Sequence, residues 1–224
     1  MIQVKDLDLK DYKETWDYQE TLFEEVVESK KNKADNIPGY LLLVEHPHVY
    51  TLGKSGDENN LLIQPDFLRS INATYYRINR GGDITYHGPG QLVGYPIIDL
   101  ESYQLGVKEY VHLLEEVIIN TLKEFGILST RFDGATGVWL DVGTPRARKI
   151  CAIGVRISRY VSMHGYALNV NTNLNYFNYI NPCGFQDKGV TSMQKELGRE
   201  LDMSEVKKVF VKEFEKGFKV KSLI

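Results

Sequence analysis

The chain has 224 residues, 42% hydrophobic and 25% charged, a balance that excludes a disordered or fibrous protein. A chain of this order hides roughly 70% or more of its unfolded surface, so a single domain over residues 1–224 with one sizeable core is expected, without a disulfide framework or a structural metal. The formal charge of −3 argues against indiscriminate nucleic-acid binding, and with no basic leader and no apolar run of spanning length the expectation is a cytoplasmic protein with no membrane association.

In chain order, Glu14 to Lys33 sets Trp16, Phe23, Val26 and Val27 at helical spacing among acids and lysines, which predicts an amphipathic helix. Gly39 to Glu45 reads as a buried strand, and His48 to Gly53 and Thr74 to Asn79 as short strands with glycine and asparagine between them. From Val107, the residues Tyr110, Val111, Leu114, Val117, Ile118, Leu122 and Phe125 recur every three or four positions, with Gly126 as a natural stop. Gly137 to Asp141, Lys149 to Ser158 and Val161 to Val170 are strand candidates, the last two joined at Arg159-Tyr160. A final helix from near Ser204 aligns Val206, Phe210, Phe214 and Phe218. That order predicts an α/β (α+β) protein: a mixed β-sheet with packed helices.

The densest chemistry is Arg80-Gly-Gly-Asp-Ile-Thr-Tyr-His-Gly-Pro-Gly-Gln91, where glycines that let backbone approach a ligand stand beside Arg, Thr, Tyr and His. Neither phosphate-loop pattern is present, and a purely structural loop is the competing reading. Of the two cysteines, Cys151 lies in apolar alternation and reads as core, whereas Cys183 follows Asn181-Pro182 and precedes Gly184, a turn that can present a thiol to a cleft. A disulfide between them is rare in a reducing compartment. From Val142 to Gln186 there is no Asp or Glu, while Arg146, Arg148, Lys149, Arg156 and Arg159 make the stretch +5. It is either an acid-poor strand region or a docking face for an acidic partner.

Five segments carry a resemblance: Glu45-His-Pro-His-Val-Tyr-Thr-Leu-Gly53, the Arg80–Gln91 run, Lys149-Ile-Cys-Ala-Ile-Gly-Val155, His164-Gly-Tyr-Ala-Leu-Asn-Val170 and Asn181-Pro-Cys-Gly184. In that order, from about Leu41 to Met193, the chain closely resembles the octanoyl-[acyl-carrier-protein]:protein N-octanoyltransferases of lipoate biosynthesis. The resemblance implies the biotin/lipoate protein ligase catalytic fold, Cys183 as the nucleophile that carries the acyl group, and Lys149 as its catalytic partner. It assigns substrate contacts to Arg80, Gly81, Gly82, Asp83, Ile84, Thr85, Tyr86 and His87, to Ala152, Ile153 and Gly154, and to Gly165, Tyr166 and Ala167.

Read from the residues, the partnership has a reason. A thiol with pKa near 8.5 is only about 3% ionised at pH 7, and an amine set beside an apolar strand is one group that can help it, its own pKa lowered by desolvation. His87 and His164 would otherwise suggest a Cys-His dyad, but read better as loop organisers or substrate contacts. Metal binding by His46, His48 and His87 is not expected, for want of carboxylate or thiolate partners at ligand spacing. The implied partners are acyl carrier protein, with octanoate on its phosphopantetheine arm, and the lipoyl domains of 2-oxoacid dehydrogenase E2 subunits and glycine cleavage H protein. No ATP or metal cofactor is expected. The alternatives are an ATP-dependent lipoate or biotin protein ligase, which needs no nucleophilic cysteine, and a non-catalytic acyl-carrier binding protein.

Overall fold

The structure is a computed structural model that describes residues 2–34, 36–181, 189–220 and 222–223. Cys183 lies outside the described residues, as does most of the Asn181–Gly184 turn expected from the sequence.

Strand β1 (Ile2–Leu9) leads through helix α1 (Tyr12–Lys31) to β2 (Gly39–Glu45), and β1 and β2 pair in parallel. Asp11 caps α1, accepting from the Glu14 backbone N–H at 3.1 Å, which sets the start two residues before the periodicity predicted it. Then follow β3 (Val49–Leu52), the short helix α2 (Pro65–Ser70), β4 (Thr74–Arg77), β5 (Ile84–His87) and β6 (Gln91–Ile97). Helix α3 (Val107–Glu124) ends as expected, with Phe125 as cap and Gly126 at φ +79°.

Beyond it come β7 (Val138–Leu140), β8 (Arg148–Ser158) and β9 (Val161–Asn169), with Arg159 and Tyr160 both at positive φ, the backbone of a tight primed hairpin turn. The described chain closes with β10 (Gly189–Val190), α4 (Met193–Leu197), α5 (Met203–Phe218) and β11 (Ser222–Leu223).

One sheet runs β10-β8-β9-β6-β2-β1-β11, with β7 on β8, and a smaller one runs β4-β3-β5. Helix α1 covers one face of the large sheet, burying Leu22, Phe23, Val26 and Val27 against Leu42, Val44, Val93 and Tyr95. Helices α3 and α5 cover the other, where Leu114, Ile118, Phe210 and Phe214 meet Leu41, Leu92, Ile150 and Leu168. The expected mixed sheet with packed helices is therefore present.

Some elements depart from the sequence reading. The Arg80–Gln91 run is not one loop: its centre is β5, antiparallel to β3. Strand β6 escapes notice because Gly94 and Pro96 interrupt its apolar run, yet it is central, between β2 and β9. Pro96 is tolerated because the β6–β9 pairing stops at Gly94, and the Pro96 carbonyl instead accepts from the Ser162 hydroxyl at 2.8 Å.

Candidate active site

A cavity of about 470 Å³ opens between the small sheet and the β8–β9 end of the large one. The volume is that of a small-ligand pocket. Lys149 lines it, together with Arg80, Gly81, Gly82, Asp83, Ile84, Thr85 and His87, with Ala152, Ile153 and Gly154, and with Gly165, Tyr166 and Ala167. Tyr86 is the exception among the expected contacts. Strand alternation turns it away from the cavity into the small sheet's core beside Tyr50, and its hydroxyl is hydrogen-bonded to His48 Nδ1 at 2.8 Å.

Arg80 is 7% exposed and organises this wall. Its guanidinium donates to the Thr51 carbonyl at 2.7 Å, the Thr51 hydroxyl at 3.0 Å and the Gly81 carbonyl at 3.0 Å. The neighbouring glycines make room for it: a Cβ on Gly53 would come within 2.9 Å of Arg80 Nη1, and one on Gly154 within 3.0 Å of Arg80 Cδ. Both glycines lie outside the Arg80–Gln91 run, one just after β3 and one within β8, and their missing side chains admit this arginine.

A chain of buried amides continues inward. Gln91 donates through Nε2 to the Tyr86 carbonyl at 3.1 Å and to Asn169 Oδ1 at 2.9 Å, so its Oε1 must accept from His87 Nδ1–H at 2.8 Å. Asn169 in turn donates to the Thr191 carbonyl at 2.9 Å, and the Thr191 backbone N–H to the Lys149 carbonyl at 2.9 Å. His87 thereby acts as an organiser, one of the two roles the sequence favoured for it. Sequence reasoning missed Gln91 and Asn169 as its partners because single amides carry no periodic signal.

The other histidines are similarly tied. His46 donates from Nδ1 to the Lys10 carbonyl at 2.7 Å, which leaves Nε2 to accept from the Tyr95 hydroxyl at 2.8 Å. His164 shares a 3.2 Å hydrogen bond with Asn79 Oδ1. Among the described residues, no three His, Cys, Asp or Glu side chains converge as metal ligands.

Burial pushes His46 down to about 4 and His87 well below its ordinary value; His164 is brought to about 3, first by burial and then by the charges of Arg80 and Arg156. Between pH 6.5 and about 4 the unfolded chain therefore binds protons that the folded chain refuses, and stability is lost as pH falls through that window. At pH 5 the expected cost is about 2 kcal/mol per histidine of this kind. Thermal melts at pH 7.5 and 5.0 check it, and equal midpoints would remove the neutral imidazoles from the account.

Cys151 is fully buried and its thiol is free. Burial raises its pKa, in keeping with the core role expected from the sequence. The acid-free stretch is less open than its charge suggests. Arg148 makes a two-pronged ion pair with Glu196 at 2.7 and 2.6 Å, and Arg156 meets Glu20 at 2.9 Å, whereas the Arg146 side chain, 82% exposed, reaches Asp141 only at 4.0 Å. Acids from outside the stretch cancel charge that looked unopposed in the sequence.

The family model for the lipoyl protein ligase A/B catalytic domain matches residues 11–215. An octanoyltransferase of Christiangramia forsetii is 58% identical over 223 residues, covering 97% of this chain and 95% of its own. One of Bacteroides fragilis is 59% identical over 202 residues, 90% of this chain and 91% of its own. Among solved structures, one from a structural analysis of a bipartite lipoate protein ligase and its E2 lipoyl domain of Thermoplasma acidophilum has a TM-score of 0.67 at 13% identity over 100% of this chain and 88% of that one. A biotin protein ligase of Aquifex aeolicus with biotin and ATP has a TM-score of 0.55 at 15% identity, over 97% and 70%. At such identities the two ligases speak for the fold, and it is the one expected. No described helix is long and apolar enough to cross a membrane. On the family match and on relatives of this identity over nearly the whole length, the chain belongs to the lipoyl protein ligase A/B catalytic domain family and sits among its octanoyltransferases.

Proposed function

We propose that this octanoyltransferase takes its acyl group from the phosphopantetheine thioester of acyl carrier protein, carries it on Cys183, and delivers it to the lysine of a lipoyl domain. The acceptors in view are the lipoyl domains of 2-oxoacid dehydrogenase E2 subunits and of glycine cleavage H protein. The observation that carries the reading is the placement of the chain on either side of Cys183. Phe177 before it and Gly189 and Val190 after it border the same cavity as Lys149, and Val190 pairs with Lys149 itself in the β8–β10 ladder.

In the first half-reaction the Cys183 thiolate attacks the thioester carbon, and the pantetheine sulfur leaves with the electron pair of the broken C–S bond. Exchange of one thioester for another is nearly balanced in energy, so the burden falls on ionising the thiol. The Lys149 ammonium supplies the positive charge that favours the thiolate, then gives a proton to the departing pantetheine sulfur and is left neutral. In the second half-reaction the acceptor lysine, with an ordinary pKa near 10.4, gives a proton to neutral Lys149 and attacks the acyl-enzyme. An amide forms, the Cys183 sulfur leaves, and the gain from thioester to amide draws the reaction forward. The apolar tail is served by the Val93, Ile153 and Ala167 side of the cavity, and the polar end by the Arg80 wall.

Intact-protein mass is the test. Incubated with octanoyl-carrier and no nucleotide, the chain is expected to gain one octanoyl group on Cys183 and to lose it to an added lipoyl domain. Acylation that appears only with ATP would replace this reading with a ligase, and carrier binding without any mass gain would replace it with a non-catalytic binding protein.

A further inference from the structure

Strands β7 and β8 set Trp139 directly opposite Lys149. Residues so paired hold their side chains on one face, with Cβ atoms about 5 Å apart. The Lys149 ammonium lies 4.7 Å from the centre of the indole ring. Three features fix that ring. Trp139 is only 2% exposed, its Nε1–H donates to the Ala135 carbonyl at 2.9 Å, and Phe132 stands edge-on to it with centroids 5.2 Å apart.

The stem of the lysine is placed as carefully. Gly137, at φ +119°, leaves open the space where a Cβ would come within 2.5 Å of the Cys151 carbonyl and 3.6 Å of Lys149 Cδ. Its N–H donates to the buried Glu115 carboxylate at 3.0 Å, which ties the strand to α3. The ladder slips between Val138 and Trp139, so Ile150 is the extra residue of a β-bulge between Lys149 and Cys151. Ile150 and Cys151 are both buried in the α3–α5 core, and bulges of this kind re-aim a neighbouring side chain.

We propose that Trp139 is a positioning residue for Lys149, its ring face holding the ammonium at one point on the cavity wall. The inference rests on the reading that Lys149 serves Cys183. An aromatic face suits the task because it attracts the cation without setting a negative charge beside it. A carboxylate in the same place would compete with the thiolate for the lysine, which an indole face does not.

The test follows the rate of Cys183 alkylation by iodoacetamide against pH, with peptide mapping to exclude Cys151, in the full chain and in Trp139→Leu, Trp139→Phe, Lys149→Ala and the Trp139→Leu/Lys149→Ala pair. A cation–ring contact of about 0.5–2 kcal/mol corresponds to about 0.4–1.5 pH units. Trp139→Leu is expected to raise the alkylation midpoint by that amount and to lower kcat for octanoyl transfer at pH 7 by about 2- to 30-fold, with KM for the carrier within twofold. Trp139→Phe keeps a ring, so it shows a smaller shift in the same direction, and it carries the test if the leucine variant melts before assay. The double variant is expected to match Lys149→Ala alone, because an effect exerted through the lysine vanishes with it. A merely structural role would instead add to it. If Lys149→Ala moves the profile while both tryptophan variants keep the parent midpoint, Trp139 is core and nothing more. If Lys149→Ala leaves the profile unchanged, the dyad itself falls and takes this inference with it.

Discussion

Cys183→Ala is expected to form no acyl-enzyme and to lose octanoyl transfer by three orders of magnitude or more, the scale on which removal of a covalent nucleophile acts. Cys151→Ala is expected to acylate within a few-fold of the parent. The contrast follows from where the second thiol sits: Cys151 is sealed in the core with Leu140, Ile150 and Leu168, and burial holds it in the protonated form. A thiol is nucleophilic as its thiolate, so Cys151 has neither access nor charge. Its loss leaves a cavity of about one sulfur atom, a stability cost on the order of 1 kcal/mol that a thermal melt separates from any catalytic effect. Acyl transfer surviving in Cys183→Ala but lost in Cys151→Ala would reverse the assignment.

Arg80→Lys is expected to behave as a severe change although the charge is kept. The guanidinium fork reaches the Thr51 carbonyl and hydroxyl and the Gly81 carbonyl together, whereas an ammonium at the end of a shorter reach meets one of them. Buried carbonyls left without a charged donor cost about 1.5–3 kcal/mol each, so a net loss of about 2–4 kcal/mol is expected. At about 2–4 °C per kcal/mol for a chain of this size, the melting midpoint falls by roughly 5–15 °C. Gly154→Ala pushes on the same place from the other strand, with its Cβ 2.9 Å from the Gly81 carbonyl and 3.0 Å from Arg80 Cδ, and should move the midpoint in the same direction. Both variants are also expected to acylate more slowly, since Arg80 and Gly81 form part of the cavity wall. A lysine variant that melts with the parent would mean that the fork is dispensable.

How far the sequence reads depends on the kind of signal each element carries. The periodic helices α1, α3 and α5 and the β-branched strands β8 and β9 are legible because burial of one face repeats at a fixed step along the chain. Strand β6 is not, because Gly94 and Pro96 interrupt its apolar run; β5 is only four residues long in a glycine-rich segment, and β10 and β11 are two residues long. The five segments of the site are visible as sequence, Tyr86 being the residue whose expected place in the cavity the strand alternation overturns.

What the sequence determined by itself was therefore composition, the periodic elements, the family likeness and the contrast between a cysteine in apolar alternation and one in a turn. Tertiary structure alone decided which of the basic residues are held in part-buried ion pairs, Arg148 on Glu196 and Arg156 on Glu20, while Arg146 keeps a largely exposed side chain with Asp141 at 4.0 Å. It also decided that Trp139 lies under the Lys149 ammonium and that three glycine-bearing segments close around one arginine. The physical reason is common to all of these. Such contacts are set by strand register and by which loops meet in space, and residues far apart in the chain leave no trace of that meeting in their local sequence.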